Sequence, residues 1–269
     1  MCVAWIVGVY LVAADTLWPS PVGGLGPPKS AANEKARSVP TAFFLSAFLP
    51  GSGQLYNRQP VRALLYATVE GLSWWALWHY RRSGDRAFAA VRAYARQHWS
   101  VVRYARWLNG YSGYDGPPVS IRGEPTGDGE RDWALVDLRE LNAAERRARF
   151  HNGMPFSHEL PPYGSQQYYE LIGKYFQFAP GWSDYNGADN PQDRRNVPDR
   201  FWAYARQHAR ANELLRYAEY ALMALTANHV LSALDALISA RLHNVRIRVH
   251  GPDPTGYVRW GGALLWRWP

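Results

Sequence analysis

Two apolar stretches of bilayer length constrain this chain more than any other feature of its sequence. Val61–Tyr80 contains twenty residues, of which only Arg62 and Glu70 are formally charged. Tyr220–Ala240 contains 21 residues with Asp235 as its single formal charge. At about 1.5 Å per helical residue, each stretch would span roughly 30 Å, the thickness of a hydrocarbon core. The pattern predicts two transmembrane helices.

The overall composition indicates that only part of the chain lies in lipid. The mean hydropathy of the 269 residues is −0.37, which is too low for a bundle wholly embedded in a bilayer. The polar remainder is therefore expected in water. We predict an all-α integral membrane protein with two to three transmembrane helices and a mostly helical, loop-rich extramembrane domain.

Aromatic residues are abundant, with 13 Trp and 17 Tyr. Rings with a polar tip favour the membrane–water boundary. A soluble protein with a Trp-rich core is the alternative interpretation of the same composition. That alternative is weakened by Trp74, Trp75 and Trp78, which lie inside the first apolar stretch.

The net charge of +8 comes mostly from Arg residues scattered along the chain. A nucleic-acid-binding protein would carry a dense basic stripe interleaved with aromatic residues. Several of these Arg residues instead flank the apolar stretches, as expected for contacts with lipid headgroups. We therefore expect membrane lipids and other membrane-protein subunits as partners, and no nucleic acid. The single cysteine, Cys2, excludes an internal disulfide.

The chain divides into five predicted segments. Residues 1–14 are apolar and end in Val12-Ala13-Ala14, as in a secretory signal, but no basic residue precedes the apolar core, and we favour a retained anchor over cleavage. A linker dense in Pro and Gly follows. The segments are 1–40 (signal-like or anchor segment plus linker), 41–80 (membrane hairpin), 81–213 (extramembrane helical domain), 214–244 (final transmembrane helix) and 245–269 (Trp-rich tail).

Helical spacing and capping residues predict further helices. Asp85 is expected to cap a helix that runs to about Leu108. Leu138–Phe150 and Ser165–Phe176 are predicted as short helices separated by loops rich in Gly and Pro. Arg200–Asn244 is predicted as one long helix whose second half is the final span.

A Gly-rich break interrupts the apolar segment before the first span, at Pro50-Gly51-Ser52-Gly53-Gln54-Leu55-Tyr56-Asn57. The motif superficially suggests a phosphate-binding loop, but no Lys-Ser/Thr pair follows its last Gly. A sharp helix turn is the better interpretation, because Pro lacks a donor and Gly allows positive φ. In lipid, the freed backbone groups need protein partners. The predicted turn residues are Pro50, Gly51 and Gly53, and the predicted partners are Gln54, Tyr56 and Asn57.

Polar residues recur on one face of the final span, at spacings of four, three and four. They are Asn228, Ser232, Asp235 and Ser239, with His229 at the margin. Glu70 lies near the middle of the first span, where an ionisable side chain is costly unless it is neutral or paired. One interpretation is hydrogen bonding between helices, which the Ala residues of the same span favour by permitting close approach. The other is that Glu70, His229 and Asp235 relay protons or bind an ion.

No catalytic or metal centre is indicated. His151 and His158-Glu159 are separated by a Gly/Pro loop, whereas a His-Glu-x-x-His zinc motif lies on one helix. The Asp and Asn residues between Asp184 and Asp193 lack the EF-hand spacing and are better explained as turn formers. We predict no catalytic residue, no metal and no cofactor. Bound lipids are expected, and pigment contacts only in a photosynthetic complex.

Three motifs in order resemble a bacterial envelope membrane-protein family of unknown function. They are Leu45-Ser46-Ala47-Phe48-Leu49 with the following Pro-Gly-x-Gly-Gln-x-Tyr-Asn hairpin, Gln167-Tyr168-Tyr169-Glu170-Leu171-Ile172-Gly173-Lys174-Tyr175, and the Asn-His…Ser-Ala-x-Asp-Ala pattern from Asn228 to Ala236. The resemblance covers roughly Thr41 to Arg241. It implies a signal sequence, a membrane hairpin, an aqueous domain and a final span, and it supplies no enzyme activity. A long insertion near Tyr111–Pro162 and the Trp-rich tail depart from the family's pattern.

These observations lead to a functional expectation. We expect a non-catalytic accessory or scaffolding subunit of a larger complex in the bacterial inner membrane, in a respiratory or photosynthetic setting, with its extramembrane domain in the periplasm. The alternative is a small ion-coupled transporter that uses Glu70, His229 and Asp235.

Overall fold

Helix is the only regular secondary structure in the described part of the chain. A computed structural model describes residues 35–250, and in that range it has α-helices, two 3-10 turns and no β-strand. The all-α fold class is therefore confirmed, while residues 1–34 and 251–269, with the predicted anchor and most of the tail, lie outside the described range. The α-helices are α1 (Val39–Phe48), α2 (Ser52–Tyr56), α3 (Pro60–His98), α4 (Val101–Asn109), α5 (Gly129–Trp133), α6 (Leu138–Arg147), α7 (Gln166–Leu171) and α8 (Asp199–His250); the 3-10 turns are Phe176–Gly181 and Arg194–Asn196.

Two long helices, α3 and α8, pack antiparallel and organise the molecule. Arg62 near the start of α3 contacts Asp235 of α8, and Phe88, seven turns later, contacts His208. The two helices therefore run side by side in opposite directions over roughly 40 Å. The long helix predicted at Arg200–Asn244 is confirmed.

The helix start predicted at Asp85 is wrong, because α3 continues from Pro60 to His98 without interruption. Neither Pro nor an alternative cap interrupts the helix there, and Gly84 is accommodated because Leu215 of α8 packs directly over it. The break instead falls at Trp99, which is extended, and Ser100, whose hydroxyl caps α4 by accepting from the amides of Val102 and Arg103.

Helices α1 and α2 form a short hairpin, residues 39–58, that lies against α8. With ten residues, α1 is only about 15 Å long. The hairpin begins and ends at the same level, since the Tyr56 hydroxyl accepts a 3.0 Å hydrogen bond from the Ser38 amide. The chain reverses at Gly51, whose φ of +96° is the left-handed conformation that Gly adopts without strain.

A head domain, residues 99–198, encloses the far ends of α3 and α8 in an aromatic core. Buried Trp99 and Trp182 donate their indole N–H groups to the carbonyls of Phe178 and Ile172, each at 3.0 Å. Two predicted helices end earlier than expected, at Arg147 and at Leu171, and α5 was not predicted. The fully buried aromatic side chains of this core are Trp99, Tyr104, Tyr168, Phe178, Trp182, Phe201 and Tyr204.

Outside the head, by contrast, many aromatic and apolar side chains are exposed. Almost all exposed large apolar side chains lie on the hairpin, the first half of α3 and the part of α8 from Tyr217 onward; Met154 of the head is the exception among the described residues. By length and composition, one helix of the described part is apolar enough to cross a membrane, Asp199–Val245. The count of two to three spans stays a prediction. The exposed belt includes Phe44, Phe48, Leu64, Leu72, Trp74, Trp75, Trp78, Tyr217, Tyr220, Met223, Val230, Leu234, Ile238 and Leu242.

Candidate functional site

The predicted polar residues converge where the hairpin, α3 and α8 meet. The α8 face that carries Asn228, Ser232, Asp235 and Ser239, called here the α8 stripe, points inward. Asn228, Ser232 and Ser239 are buried among these helices. Small residues make the contact close, since Ala42 of α1 packs on Ala236 and Ala240 of α8. The structure therefore places the hairpin motif and the α8 stripe, about 180 residues apart in sequence, in one interface.

Gln54 is the centre of the hairpin's attachment to α8. Its side-chain amide donates to the Ser232 carbonyl at 2.8 Å and to Asp235 Oδ2 at 3.0 Å. Its carbonyl oxygen accepts from the hydroxyls of Ser46, at 2.8 Å, and Ser232, at 3.1 Å. The Gly51 amide, freed by the turn, donates to Ser232 Oγ at 2.9 Å. The hairpin's backbone thus obtains the protein partner that a non-aqueous environment requires.

Asn57 repeats this arrangement one turn farther along α8. Its side-chain amide donates to the Ala236 carbonyl and to Ser239 Oγ, both at 2.8 Å. Together, Gln54 and Asn57 attach the end of the hairpin to α8 at three successive positions of the α8 stripe, Ser232, Asp235 and Ser239. Sequence reasoning named both residues, but it missed Ser46, because nothing in a single Ser on an apolar helix indicates its partner.

The hairpin's glycines permit this close packing. A Cβ on Gly53 would lie 2.1 Å from the Ala42 carbonyl oxygen and 2.8 Å from Ala236 Cβ. A Cβ on Gly51 would lie 2.5 Å from the Ala63 carbonyl oxygen of α3. Pro50 beside them is buried. Gly51 and Gly53 therefore lie where their backbone meets the backbone of another helix, with no space for a larger side chain.

Glu70 and His229 form a second polar cluster, where the end of α1 meets α3 and α8. Glu70 accepts hydrogen bonds from Trp74 Nε1 at 2.9 Å and from Asn228 Nδ2 at 2.9 Å. His229 Nε2 lies 3.2 Å from Glu70 Oε1, and His229 Nδ1 lies 2.8 Å from the carbonyl oxygen of Ala47, at the end of α1. One carboxyl group therefore connects α3 to α8, and one imidazole connects both to the hairpin.

The contact with Ala47 orients the imidazole of His229. The Ala47 carbonyl can only accept, so His229 Nδ1 is the donor of that hydrogen bond. His229 Nε2 is then the nitrogen that faces Glu70, whose carboxyl group also accepts from Trp74 and Asn228.

Asp235 is paired differently. Its Oδ1 accepts from Arg62 Nη1 at 2.9 Å, and its Oδ2 accepts from Gln54. Sequence reasoning identified Arg62 as a charge of the first span but did not pair it with Asp235. The pairing depends on the register of α3 against α8, which no local pattern reveals.

The other clusters considered in the sequence form no site. The Asp and Asn side chains between Asp184 and Asp193 accept hydrogen bonds from nearby backbone amides, as turn formers do. Ser112, His151 and Asp189 do meet, but His151 presents the same nitrogen, Nε2, to both partners, whereas a catalytic triad uses both ring nitrogens. Among residues 35–250, no group of three or more His, Cys, Asp or Glu side chains could hold a metal ion.

Comparison with known proteins adds no assignment: no family model, no curated protein and no solved structure matches this chain.

Proposed function

We propose that this chain is a bacterial inner-membrane protein in which α3 and α8 cross the bilayer side by side. The exposed belt of apolar side chains on both helices supports this placement, since water would not favour it. Exposed Trp74, Trp78 and Tyr217 lie at one edge of that belt, as aromatic residues do at a membrane boundary. The α1–α2 hairpin, only about 15 Å deep, enters the bilayer and returns to the same side.

Charge supports an orientation. The edge of the belt where the hairpin begins carries Lys35, Arg37, Arg58, Arg62 and Arg241 within the described residues, with Asp235 as its one acidic side chain, whereas the α3 end of the opposite edge carries Arg81 and Arg82. The edge where the hairpin begins faces the cytoplasm under the positive-inside rule. The head domain then lies in the periplasm, and residues that precede the hairpin lie on the same side as the end of α8.

One labelling experiment tests both placement and orientation. Met154 is 61% exposed on the head, so Met154→Cys with Cys2→Ser provides a single accessible thiol. We expect an impermeant maleimide to label it on intact spheroplasts, and the labelled chain to stay in the membrane pellet after an alkaline wash. Release by alkali contradicts the spans, whereas retention with labelling only after lysis contradicts the orientation.

We further propose that the protein acts as a non-catalytic accessory or scaffolding subunit of a larger membrane complex. The observation that carries this is the polar network at the hairpin: Gln54 bonds to the side chains of Ser232 and Asp235 and to the Ser232 carbonyl, as interhelical contacts do. Polar side chains that join three helices in this way stabilise the arrangement of a membrane module. Respiratory or photosynthetic assembly is the proposed setting, and the family resemblance stays a prediction.

The substitution Asp235→Asn discriminates this function from ion transport. Asn retains one oxygen for Arg62, and the Gln54 amide keeps its bond to the Ser232 carbonyl. Because Arg62 is half exposed, the lost ion pair is expected to cost about 1 kcal/mol or less. We expect unchanged abundance and unchanged co-purification of partner chains in mild detergent. Normal assembly together with abolished ion-dependent flux would refute the scaffold.

The Glu70–His229 pair gives the transporter alternative its specific support. Two ionisable side chains in hydrogen-bond contact within a span are an arrangement that proton-coupled carriers use. The same pair also anchors the hairpin tip through Ala47, which a scaffold requires. Loss of ion-dependent flux in Asp235→Asn, together with the same loss in Glu70→Gln, would support the transporter and refute the scaffold.

A further inference from the structure

Three chain segments meet at the cytoplasmic edge of the belt. The side chain of Asn244, near the end of α8, exchanges two 2.8 Å hydrogen bonds with the backbone of Arg37. The Arg37 guanidinium donates in turn to the carbonyl of Asn57, at the end of α2. The segment that enters the hairpin, the turn that leaves it and the last turns of α8 are therefore joined at one point.

This point gathers positive charge. Lys35, Arg58 and Arg241 belong to the three joined segments, and their side chains are exposed. Asp235, the one acidic residue of these segments within the described chain, is already bonded to Arg62. Lys35, Arg58 and Arg241 make no ion pair with any described residue, and the adjoining surface is apolar, with Leu55, Tyr56 and Leu242 exposed.

The backbone at Arg58 gives the second, independent indication. Helix α2 ends in a Schellman motif, in which the Gln59 amide donates to the Gln54 carbonyl at 2.8 Å and the Arg58 amide to the Leu55 carbonyl at 2.9 Å. The motif places Arg58 at φ +55°, and it is the one residue other than Gly with positive φ in the described chain. Gly is usual at this position because a side chain is strained there. The exposed Arg58 therefore occupies a position at which Gly would be less strained.

We propose that Arg58, with Arg241 and Lys35, binds the phosphate group of an anionic phospholipid at the cytoplasmic edge. This inference rests on the proposed membrane placement. A guanidinium offers several N–H donors to phosphate oxygens, and the exposed apolar residues beside it accept the acyl chains. The lipid occupies the junction that holds the hairpin, so its binding stabilises the docked hairpin.

The test uses the full-length protein in mild detergent and native mass spectrometry. Phosphatidylglycerol and phosphatidylcholine with identical acyl chains are titrated in parallel. We expect the natural protein to prefer phosphatidylglycerol, and Arg58→Gly to weaken that binding roughly fivefold, since one Arg near an anionic lipid contributes about that factor. The unfolding temperature of Arg58→Gly should stay the same or rise, because Gly relieves the strained φ. Adding Arg241→Gln should remove the preference.

The control pair is Arg81→Gln with Arg82→Gln, two exposed Arg residues at the opposite edge, which should leave the preference intact. Equal binding of both lipids by the natural protein, or an unchanged preference in the Arg58 and Arg241 variants, overturns the proposal. Displacement of phosphatidylglycerol by glycerol phosphate would identify a free phosphate as the ligand and would overturn the proposal that a lipid binds there. These outcomes differ from release by alkali, which would refute the membrane placement itself.

Discussion

Gly53→Ala is expected to undock the hairpin and cost about 3 kcal/mol, at the upper end of the range for overpacking. The added Cβ would lie 2.1 Å from the Ala42 carbonyl oxygen, 2.5 Å from Ser46 Oγ and 2.8 Å from Ala236 Cβ. The first atom belongs to the α1 backbone and the last lies close to the backbone of α8. Neither can retreat unless a helix moves, and a movement of α1 breaks the Gly53 amide's 2.9 Å bond to Ser46.

Hydrogen exchange measured by mass spectrometry on the full chain in detergent is the direct readout. Amides of residues 39–58 should exchange faster in Gly53→Ala, while those of the head stay protected. Gly71→Ala is the matched control, because a Cβ at Gly71 meets nothing within 4 Å on an exposed helix face. There the better helix former is expected to be neutral or to stabilise by up to about 1 kcal/mol. Equal behaviour of the two variants would contradict the packing described for the hairpin.

The polar residues of α8 and their partners show which parts of the interface can be predicted from a sequence. Asn228, Ser232 and Asp235 could be assigned to one face because they share a helix whose period is known. That the hairpin motif would meet this face could not be derived, since it depends on how α1, α3 and α8 pack. The Arg62–Asp235 pair was missed for the same reason, because it requires the register between two helices more than a hundred residues apart, whereas Glu70 and His229 had been grouped as ionisable residues of the two spans.

Element boundaries failed where local signals competed. Asp85 is a good capping residue, yet α3 passes through it because Leu215 covers Gly84 and the α8 partner continues. The break occurs at Trp99, which the sequence does not distinguish from other Trp residues. At this break the Trp99 indole donates to the Phe178 carbonyl in the head's core, and Ser100 caps the next helix. The aromatic residues divide into two sets that composition alone could not separate: one set of rings fills the head, and another lies exposed on α3 and α8.

The head holds one ionisable group that should make its stability strongly pH-dependent. Glu145 is 1% exposed. Burial raises the pKa of its carboxyl group from the ordinary 4.5 to about 8, although the Leu160 amide and the Tyr104 hydroxyl, each 2.8 Å away, donate to it and oppose the rise. The folded head therefore takes up a proton that the unfolded chain has released between these two pH values.

The sign of the effect follows from this uptake. A carboxyl group whose pKa is higher in the folded state contributes stability that is fully present below pH 4.5 and is lost as the pH rises through about 8. One proton limits the slope to about 1.4 kcal/mol per pH unit. We expect the head to unfold more readily at pH 8 than at pH 5, as measured by Trp fluorescence during urea unfolding of the full chain in detergent.

Glu145→Gln tests the assignment, because Gln stays neutral at every pH and keeps an oxygen that accepts from Tyr104 or Leu160. Its pH dependence between 5 and 8 should be much flatter than that of the natural protein, and at pH 8 the variant should be the more stable of the two. Glu124→Gln is the control: Glu124 is 81% exposed, and its pairing with Arg106 lowers its pKa, so this variant should keep the natural slope. A slope that survives Glu145→Gln would show that another group in the head carries the proton.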